Sequence, residues 1–180
     1  MTGQKILGIV GWKNSGKTTL VEALIKEMSK RGLRLSSVKH AHHAFDIDVP
    51  GKDSYRHRQA GPAEVLVVSG QRWALMHELA GQPEPPLEEL LAKLSPCDLV
   101  VVEGYKRGSH PKIEVARFAR DEGLIADQDA RVIAVATDDA VLAGGHPHLP
   151  LNDIGAIADF VCLRFDLKAS KDALADLPEI

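Results

Sequence analysis

Several features are scarce in this sequence, and each scarcity excludes a class of protein. Aromatic residues make up 4% of the chain, so an apolar core has to be built from aliphatic side chains. The two cysteines, Cys97 and Cys162, are far apart and too few for a disulfide framework or a cysteine-based metal site. No hydrophobic run reaches the length of a membrane span, and Lys5 and Lys13 interrupt the N-terminal apolar run that a signal peptide would need.

An excess of charge is also lacking. The formal net charge of -3 gives no reason to expect binding to nucleic acid or to an anionic membrane surface. We therefore expect a cytoplasmic protein with reduced thiols and without nucleic-acid or membrane partners. With 180 residues and 44% hydrophobic content, the chain can bury one well-packed core. We expect one domain over residues 1–165, followed by a tail over residues 166–180 that either belongs to the same domain or packs on its surface.

The clearest motif is GWKNSGKT at residues 11–18, which fits the phosphate-binding pattern G-x-x-x-x-G-K-[ST]. Its context fits as well. An apolar run at residues 5–10 predicts a buried strand before it, and apolar residues at helical spacing predict a helix after it through Lys30, ended by Gly32. A strand, a loop and a helix in this order form the binding site that the phosphates of a nucleoside triphosphate require.

The residue types of this loop match the chemistry of phosphate binding. Gly11 and Gly16 allow backbone conformations that a side chain would block, so that N–H groups and the helix dipole converge on an anion. Lys17 can reach the β- and γ-phosphates, and the Thr18 hydroxyl can ligate Mg²⁺. Thr19 either supports Thr18 or contacts the α-phosphate. We count all of the following as nucleotide-binding residues: Gly11, Asn14, Ser15, Gly16, Lys17, Thr18 and Thr19.

A second motif is the strand DLVVVEG at residues 98–104, where four apolar residues precede an acid. An acid at the carboxyl end of a parallel strand beside a phosphate-binding loop can meet Mg²⁺ or a water. Glu103 is therefore predicted as a metal ligand and catalytic residue. Apolar strands often end in an acid, so this motif draws its weight from the loop that precedes it.

The remaining patterns predict alternating strands and helices, hence an α/β fold with a mostly parallel sheet flanked by helices. Gly70-Gln71 between two apolar runs predicts an additional β-hairpin. Asn152 or Asp153 can cap a last helix that runs to Leu163. The other predicted elements are strands over 33–39, 131–136 and, at the sheet edge, 111–117; helices over 55–60 and 87–94; an irregular stretch over 120–129; and a turn over 144–148.

The polar segment at residues 40–54 combines histidines with carboxylates. A metal site and a mobile polar loop are both compatible with this composition, although zinc is disfavoured because no cysteine takes part. The segment follows the second strand at the edge that carries the phosphate-binding loop. Asp46 is therefore predicted to help hold Mg²⁺, and Asp48 to orient a catalytic water. Nearby basic residues either bind a second anion or are solvated surface charge: Lys39, Lys52, Arg56 and Arg58.

Asp138 lies in the segment Thr137-Asp138-Asp139, which follows a late strand. A carboxylate there can accept hydrogen bonds from the N1 and N2 donors of guanine, whereas adenine offers no matching pair of donors. A helix cap or a turn is the competing interpretation. The full Asn-Lys-x-Asp guanine signature is absent, so this motif alone does not assign the base.

Together these segments resemble the MobB family, the molybdopterin-guanine dinucleotide biosynthesis adapter proteins. The resemblance covers about residues 5–165 and is carried by GWKNSGKTTL (11–20), KHAHH (39–43), FDID (45–48), GKDSYR (51–56), VEGYK (102–106) and PKIEV (111–115). It implies a P-loop NTPase fold and a homodimer, for which the hairpin around Gly70 is a candidate interface. It also implies GTP and Mg²⁺ as cofactors, with weak GTP hydrolysis.

The resemblance further implies a partner, the guanylyltransferase that joins GMP to molybdopterin, and molybdopterin itself is a possible ligand. By this likeness Gly16, Lys17 and Thr18 hold phosphate, while Glu103 and the Asp46–Asp48 loop serve Mg²⁺ and water. Because no arginine finger is evident in the sequence, we expect slow turnover. Two rival functions stay open: a small-molecule kinase, and a non-catalytic scaffold that needs the nucleotide only for folding.

Overall fold

The computed structural model describes residues 4–41, 45–118 and 122–168. They divide into two compact units, one formed by the chain up to His40 together with the chain from Leu94 onward, and the other by residues 41–93. The predicted tail is described as far as Lys168, and its remainder lies outside the described residues. No helix in the described ranges is long and apolar enough to cross a bilayer.

The first unit is built on a six-stranded sheet in which every neighbouring pair is parallel. Its strand order is β2-β5-β1-β6-β7-β8. In chain order the strands are β1 (Ile6–Val10), β2 (Leu35–Lys39), β3 (Glu64–Val68), β4 (Trp73–His77), β5 (Leu99–Glu103), β6 (Lys112–Val115), β7 (Val132–Thr137) and β8 (His148–Pro150), and the helices are α1 (Lys17–Lys30), α2 (Asp53–Gln59), α3 (Leu87–Leu91) and α4 (Ile154–Arg164). The predicted α/β class, with a mostly parallel sheet and an additional hairpin, is confirmed.

An aliphatic core forms between this sheet and two helices, as the scarcity of aromatic residues predicts. The central strands are apolar on both faces because each face of a parallel sheet is covered. Leu7 and Ile9 of β1 pack with Leu24 and Met28 of α1 on one face, where α4 contributes Ile157. A smaller cluster that includes Val10 and Val135 fills the other face.

Helix α1 ends as its sequence predicts. Gly32 adopts a φ of 80°, in the left-handed region that favours glycine. The Gly32 N–H donates to the Ser29 carbonyl at 2.9 Å, and the Leu33 N–H donates to the Met28 carbonyl at 3.2 Å. This pair of hydrogen bonds is the Schellman motif, which satisfies the last carbonyls of the helix and turns the chain toward β2.

The prediction that the 111–117 segment is an edge strand is wrong. Strand β6 lies inside the sheet, between β1 and β7. The alternation of Lys112 and Glu114 with apolar residues suggested a solvated face, but both charged side chains are buried. Lys112 Nζ donates to the Gly108 carbonyl at 2.6 Å and to Asp129 Oδ2 at 2.9 Å. Burial is possible because both charges find polar partners.

Three smaller differences concern short elements. Helix α3 ends at Leu91, earlier than the predicted Leu94. The segment predicted as a turn over 144–148 leads into β8, which the sequence did not indicate because it is three residues long and ends in Pro150. Helix α4 is capped by Asp153, whose carboxylate accepts from the Ala156 N–H at 2.9 Å.

The second unit contains the predicted hairpin as a separate two-stranded antiparallel sheet, β3 with β4. Helix α2 contacts β3. Arg58 of α2 joins this unit's acidic side chains, since its Nη2 lies 2.5 Å from Asp46 Oδ2 and its Nη1 lies 3.5 Å from Glu78 Oε1. Asp48 accepts from the Ser54 hydroxyl at 2.8 Å.

Candidate functional site

Four strands of the parallel sheet end at one edge, and each end carries a chemically distinctive segment. The phosphate-binding loop follows β1, Glu103 closes β5, Arg117 follows β6 and Asp138 follows β7. Ligands of open parallel sheets bind outside the carboxyl ends of the strands. This edge is therefore the candidate site.

The loop after β1 requires glycine at both ends of the motif. Gly11 has a φ of 149°, and a Cβ there would lie 2.5 Å from the Val115 carbonyl oxygen. Gly16 has a φ of 96° and begins α1 without a side-chain cap from any described residue. The first N–H groups of α1 thus stay available to an anion, as the motif predicts.

Two side chains of the loop make contacts that indicate how it works. Lys17 Nζ donates to the Trp12 carbonyl at 2.7 Å, so the ammonium group bridges back across its own loop. Thr18 Oγ1 donates to Glu103 Oε1 at 2.8 Å. Lys39 Nζ lies 3.7 Å from Glu103 Oε2. The structure therefore joins the predicted metal ligands of β5 and α1, although they are separated by 85 positions in sequence.

This donor set fits a magnesium ion. A hydroxyl and a carboxylate oxygen are hard ligands of the kind that Mg²⁺ prefers, with waters and phosphate oxygens completing an octahedron. Within the described ranges, no group of three or more His, Cys, Asp or Glu side chains is arranged to hold a metal by itself. A site here would therefore need the oxygens of a bound phosphate. His42 and His43 of the histidine-rich segment lie outside the described residues.

Other predicted loop residues have distinct environments. Ser15 is buried, and its Oγ has no hydrogen-bond partner among the described residues. Asn14 is exposed and adopts a φ of 63°, which few residues besides glycine and asparagine tolerate. Thr19 is exposed at the amino end of α1. Their roles in nucleotide binding stay predictions.

The carboxylates predicted from the polar segment belong to the second unit. Asp46 accepts from Arg58 Nη2 and from the Asp48 N–H, and these two hydrogen bonds lower the pKa of Asp46. Asp48 Oδ2 is buried without a hydrogen-bond partner among the described residues. Both groups stay candidates for the proposed metal and water roles, but Arg58 already engages Asp46 in this structure.

Asp138 is not the helix cap that the alternative interpretation suggested. The cap is Asp139, whose Oδ1 accepts from the Val141 N–H at 2.9 Å and so starts a 3₁₀ helix over Ala140–Ala143. Asp138 Oδ2 instead lies 3.7 Å from Arg117 Nη1. Its carboxylate is half exposed and faces the same edge as the phosphate-binding loop.

Sequence reasoning missed Arg117 as a site residue. A Cβ placed on Gly16 would lie 2.8 Å from Arg117 Nε, so the guanidinium group lies directly against the phosphate-binding loop. The signal was hidden because the preceding segment resembled an edge strand. Once β6 is known to lie next to β1, an arginine at the carboxyl end of β6 has to face the loop.

A cavity of about 230 Å³ adjoins the loop on the β6 and β7 side. Glu114 holds one wall in place, because its carboxylate accepts from the Ile125 and Ala126 N–H groups at 3.0 and 2.9 Å. Burial raises the pKa of Glu114, although these two hydrogen bonds oppose the shift. The lining includes Trp12, Arg117, Phe118, Leu124, Asp127 and Leu142.

Trp12 ties the phosphate-binding loop to that wall. Its indole N–H donates to the Gly123 carbonyl at 3.0 Å. Lys106 Nζ lies 3.9 Å from the centre of the Trp12 ring, a cation–π contact. Burial lowers the pKa of Lys106. The indole therefore links the phosphate-binding loop to Gly123 and Lys106.

Comparison with known proteins agrees with this geometry. The family model described as "MobB: Molybdopterin guanine dinucleotide synthesis protein B" matches residues 6–138. The molybdopterin-guanine dinucleotide biosynthesis adapter protein of Escherichia coli strain K12 is 42% identical over 166 residues, covering 87% of this chain and 90% of that protein. Its counterpart in Haemophilus influenzae is 41% identical over 159 residues, covering 87% and 86% of the two chains.

Solved structures agree as well. The crystal structure of Bacillus subtilis MobB superposes with a TM-score of 0.68 at 27% identity, covering 92% of this chain and 99% of that one. Another crystal structure of molybdopterin-guanine biosynthesis protein B has a TM-score of 0.68 at 26% identity, covering 88% and 99%. The sheet order, the loop after β1 and these likenesses identify a P-loop NTPase fold. The chain belongs to the MobB family of molybdopterin guanine dinucleotide synthesis proteins.

Proposed function

We propose that this protein binds Mg-GTP at its P-loop, hydrolyses it slowly, and acts as an adapter for the guanylylation of molybdopterin. Relatives at 41–42% identity are named molybdopterin-guanine dinucleotide biosynthesis adapter proteins, which supports the adapter role. Its partner would be the guanylyltransferase, with molybdopterin as a further ligand. Cys97 and Cys162 are both free thiols, which suits a reducing cytoplasm.

The observation that carries the nucleotide proposal is the hydrogen bond between Thr18 and Glu103. A threonine hydroxyl after the P-loop lysine and an acid at the end of a neighbouring strand are the two protein ligands that P-loop enzymes give to Mg²⁺. Here the two oxygen atoms lie 2.8 Å apart. Binding of Mg²⁺ by both oxygen atoms would need only small movements of these two side chains.

The hydrolysis step follows from the same residues. Bound Mg²⁺ would neutralise charge on the phosphates. Lys17 would bind the β- and γ-phosphate oxygens after leaving the Trp12 carbonyl. Glu103 would orient the attacking water, and Asp48 is the second candidate for that task. Slow turnover is expected because none of these residues stabilises the transition state as an arginine finger would.

Guanine selectivity would come from the β7 side of the site. The cavity there is lined by aromatic and aliphatic side chains suited to the faces of a purine. Asp138 could accept from guanine N1 and N2, and its partial exposure leaves the carboxylate accessible. Arg117 competes for the Asp138 carboxylate, which would therefore serve both to recognise guanine and to pair with Arg117.

Titration calorimetry tests this proposal with GTP and ATP, each with and without Mg²⁺. We expect GTP to bind more tightly than ATP, and Mg²⁺ to strengthen GTP binding. Glu103→Gln should lose about ten-fold of the Mg²⁺ effect, since it keeps the shape of the side chain but removes its charge. Equal affinity for both nucleotides would contradict the guanine assignment, and an unchanged Mg²⁺ effect would contradict the role of Glu103.

We also propose that the hairpin forms a homodimer interface. One face of β3 and β4 is apolar and exposed, with Leu66 opposite Leu75 and Val68 opposite Trp73 in the strand register. Exposed fractions reach 72% for Val68 and 68% for Trp73. A two-stranded sheet with an uncovered apolar face is marginal by itself, and two copies can cover each other around a twofold axis.

Introducing a charge on this face should dissociate the dimer. Trp73→Lys places an ammonium group within the apolar face of the proposed contact, so we expect the dissociation constant to rise about 100-fold or more. Gln71→Lys makes the same kind of change at the turn and should leave the dimer intact. Sedimentation equilibrium measures both. A wild-type monomer at micromolar concentration, or a Trp73→Lys dimer of unchanged affinity, would contradict the interface.

A further inference from the structure

We propose that Arg117 binds the α-phosphate, at the nucleoside end of the phosphate chain, and is not an arginine finger for the γ-phosphate. The inference deepens the proposed function and rests on nucleotide binding at the P-loop. It starts from one contact: a Cβ on Gly16 would lie 2.8 Å from Arg117 Nε and 3.4 Å from its Nη2. A guanidinium group therefore lies beside the N–H groups that receive phosphate.

The strand order decides which end of the nucleotide Arg117 meets. Strand β5, with Glu103, lies on one side of β1, whereas β6 and β7 lie on the other. In P-loop enzymes the metal ion neutralises charge on the β- and γ-phosphates, and in this chain Thr18 and Glu103 would hold it. The γ end of the nucleotide would thus face β5, and the nucleoside end would face β6 and β7.

Arg117 lies on that second side. It lies two residues after the end of β6 and lines the cavity next to the loop together with Phe118 and Leu142. A nucleotide whose base enters this cavity has to bring its α-phosphate past the guanidinium group. Arginine suits this position because its planar fork can give two parallel hydrogen bonds to phosphate oxygens.

Asp138 forms an ion pair with Arg117 at this edge of the sheet. The Arg117 Nη1–Asp138 Oδ2 separation is 3.7 Å, and both side chains are about half exposed. A partly solvated pair at this distance is weak, so the guanidinium group can turn toward a phosphate at small cost. Asp138 thereby limits the directions that the arginine samples while the site holds no nucleotide.

The two possible positions of Arg117 predict different results for GDP and GTP. An arginine at the α-phosphate contacts both nucleotides, so Arg117→Gln should lower their affinities alike, by about 10- to 100-fold. An arginine at the γ-phosphate would lower the affinity for GTP and leave GDP unchanged. Titration calorimetry in the presence of Mg²⁺ separates these outcomes directly.

The matched control is Arg131→Gln. Arg131 is also about half exposed and also pairs with a carboxylate, that of Asp129, but it precedes β7 and so lies at the opposite edge of the sheet. Its replacement should change neither affinity. Arg117→Lys, which keeps the charge, should recover part of the affinity, and thermal unfolding of each free variant establishes that it is folded.

Three results would overturn the inference. Unchanged affinity of Arg117→Gln for both nucleotides would remove Arg117 from the site, while tight binding by the wild-type protein would leave the proposed function standing. A loss confined to GTP would move Arg117 to the γ-phosphate. If the wild-type protein binds neither GDP nor GTP, the proposed function fails and the inference fails with it.

Discussion

Lys17→Ala is expected to weaken GTP binding by about 100- to 10,000-fold, the combined loss of two charge-assisted hydrogen bonds. In the present structure Lys17 Nζ reaches 2.7 Å from the Trp12 carbonyl, so the ammonium group already lies across the loop that would hold the phosphates. Alanine leaves the glycines and N–H groups of the loop in place but removes the charge. Titration calorimetry with Mg-GTP measures the change.

The matched control for this prediction is Lys26→Ala. Lys26 is exposed on the same helix, two and a half turns from the loop. The Lys26→Ala variant loses the same charge but keeps the site unchanged, so its affinity for GTP should stay close to that of the wild-type protein. If Lys17→Ala bound GTP as tightly as Lys26→Ala, the P-loop would not be the nucleotide site of this protein.

Asp129→Ala is expected to destabilise the protein by about 3–5 kcal/mol, because it leaves the buried ammonium group of Lys112 without a carboxylate. The Lys112 side chain is completely buried, and its Nζ lies 2.9 Å from Asp129 Oδ2. Among the described residues, the Gly108 carbonyl at 2.6 Å is the hydrogen-bond partner that Lys112 would keep. Urea unfolding should show a lower midpoint with an unchanged slope.

Two variants separate the buried pair from the surface pair that shares Asp129. Arg131→Ala removes a guanidinium group that is 51% exposed, so a cost of about 0–1 kcal/mol is expected. The double variant Lys112→Met with Asp129→Leu replaces the buried charges by apolar groups and should recover most of the stability. An Asp129→Ala protein as stable as Arg131→Ala would show that Lys112 tolerates isolation.

The same pair predicts a pH dependence. Burial raises the pKa of Asp129, but hydrogen bonds from Arg131 and Lys112 lower it by a larger amount. The net pKa therefore lies well below the ordinary range. A carboxylate with a lowered folded-state pKa stabilises the protein above its unfolded-state pKa, and loses that contribution as the pH falls. The stability difference between wild type and Asp129→Ala should therefore shrink below about pH 4.

Local patterns were sufficient wherever one segment determines its own structure. The apolar run before Gly11 forms β1, the helical spacing after Gly16 forms α1, and Gly32 ends that helix in a Schellman motif. Gly70-Gln71 likewise marks the hairpin of β3 and β4. These elements follow from backbone preference and from the period of the hydrophobic residues, both of which depend only on residues that are close in sequence.

Strand β6 shows where such reasoning stops. Its alternating charges are typical of an exposed edge, yet Lys112 and Glu114 are buried because Asp129 and the 125–126 amides meet them from elsewhere in the fold. The order of strands depends on such distant partners. Since the position of β6 beside β1 was not predictable, neither was the contact of Arg117 with the P-loop.

The sequence by itself determined the phosphate-binding loop, its glycines, its lysine and the family, because these reside in short contiguous motifs whose chemistry depends on adjacent residues. Only the tertiary structure decided that Thr18 meets Glu103 and that Arg117 lies against Gly16. Those contacts join segments from different strands. Their existence depends on strand order and on buried charge pairing, which are set by packing across the sheet and not by any one stretch of the chain.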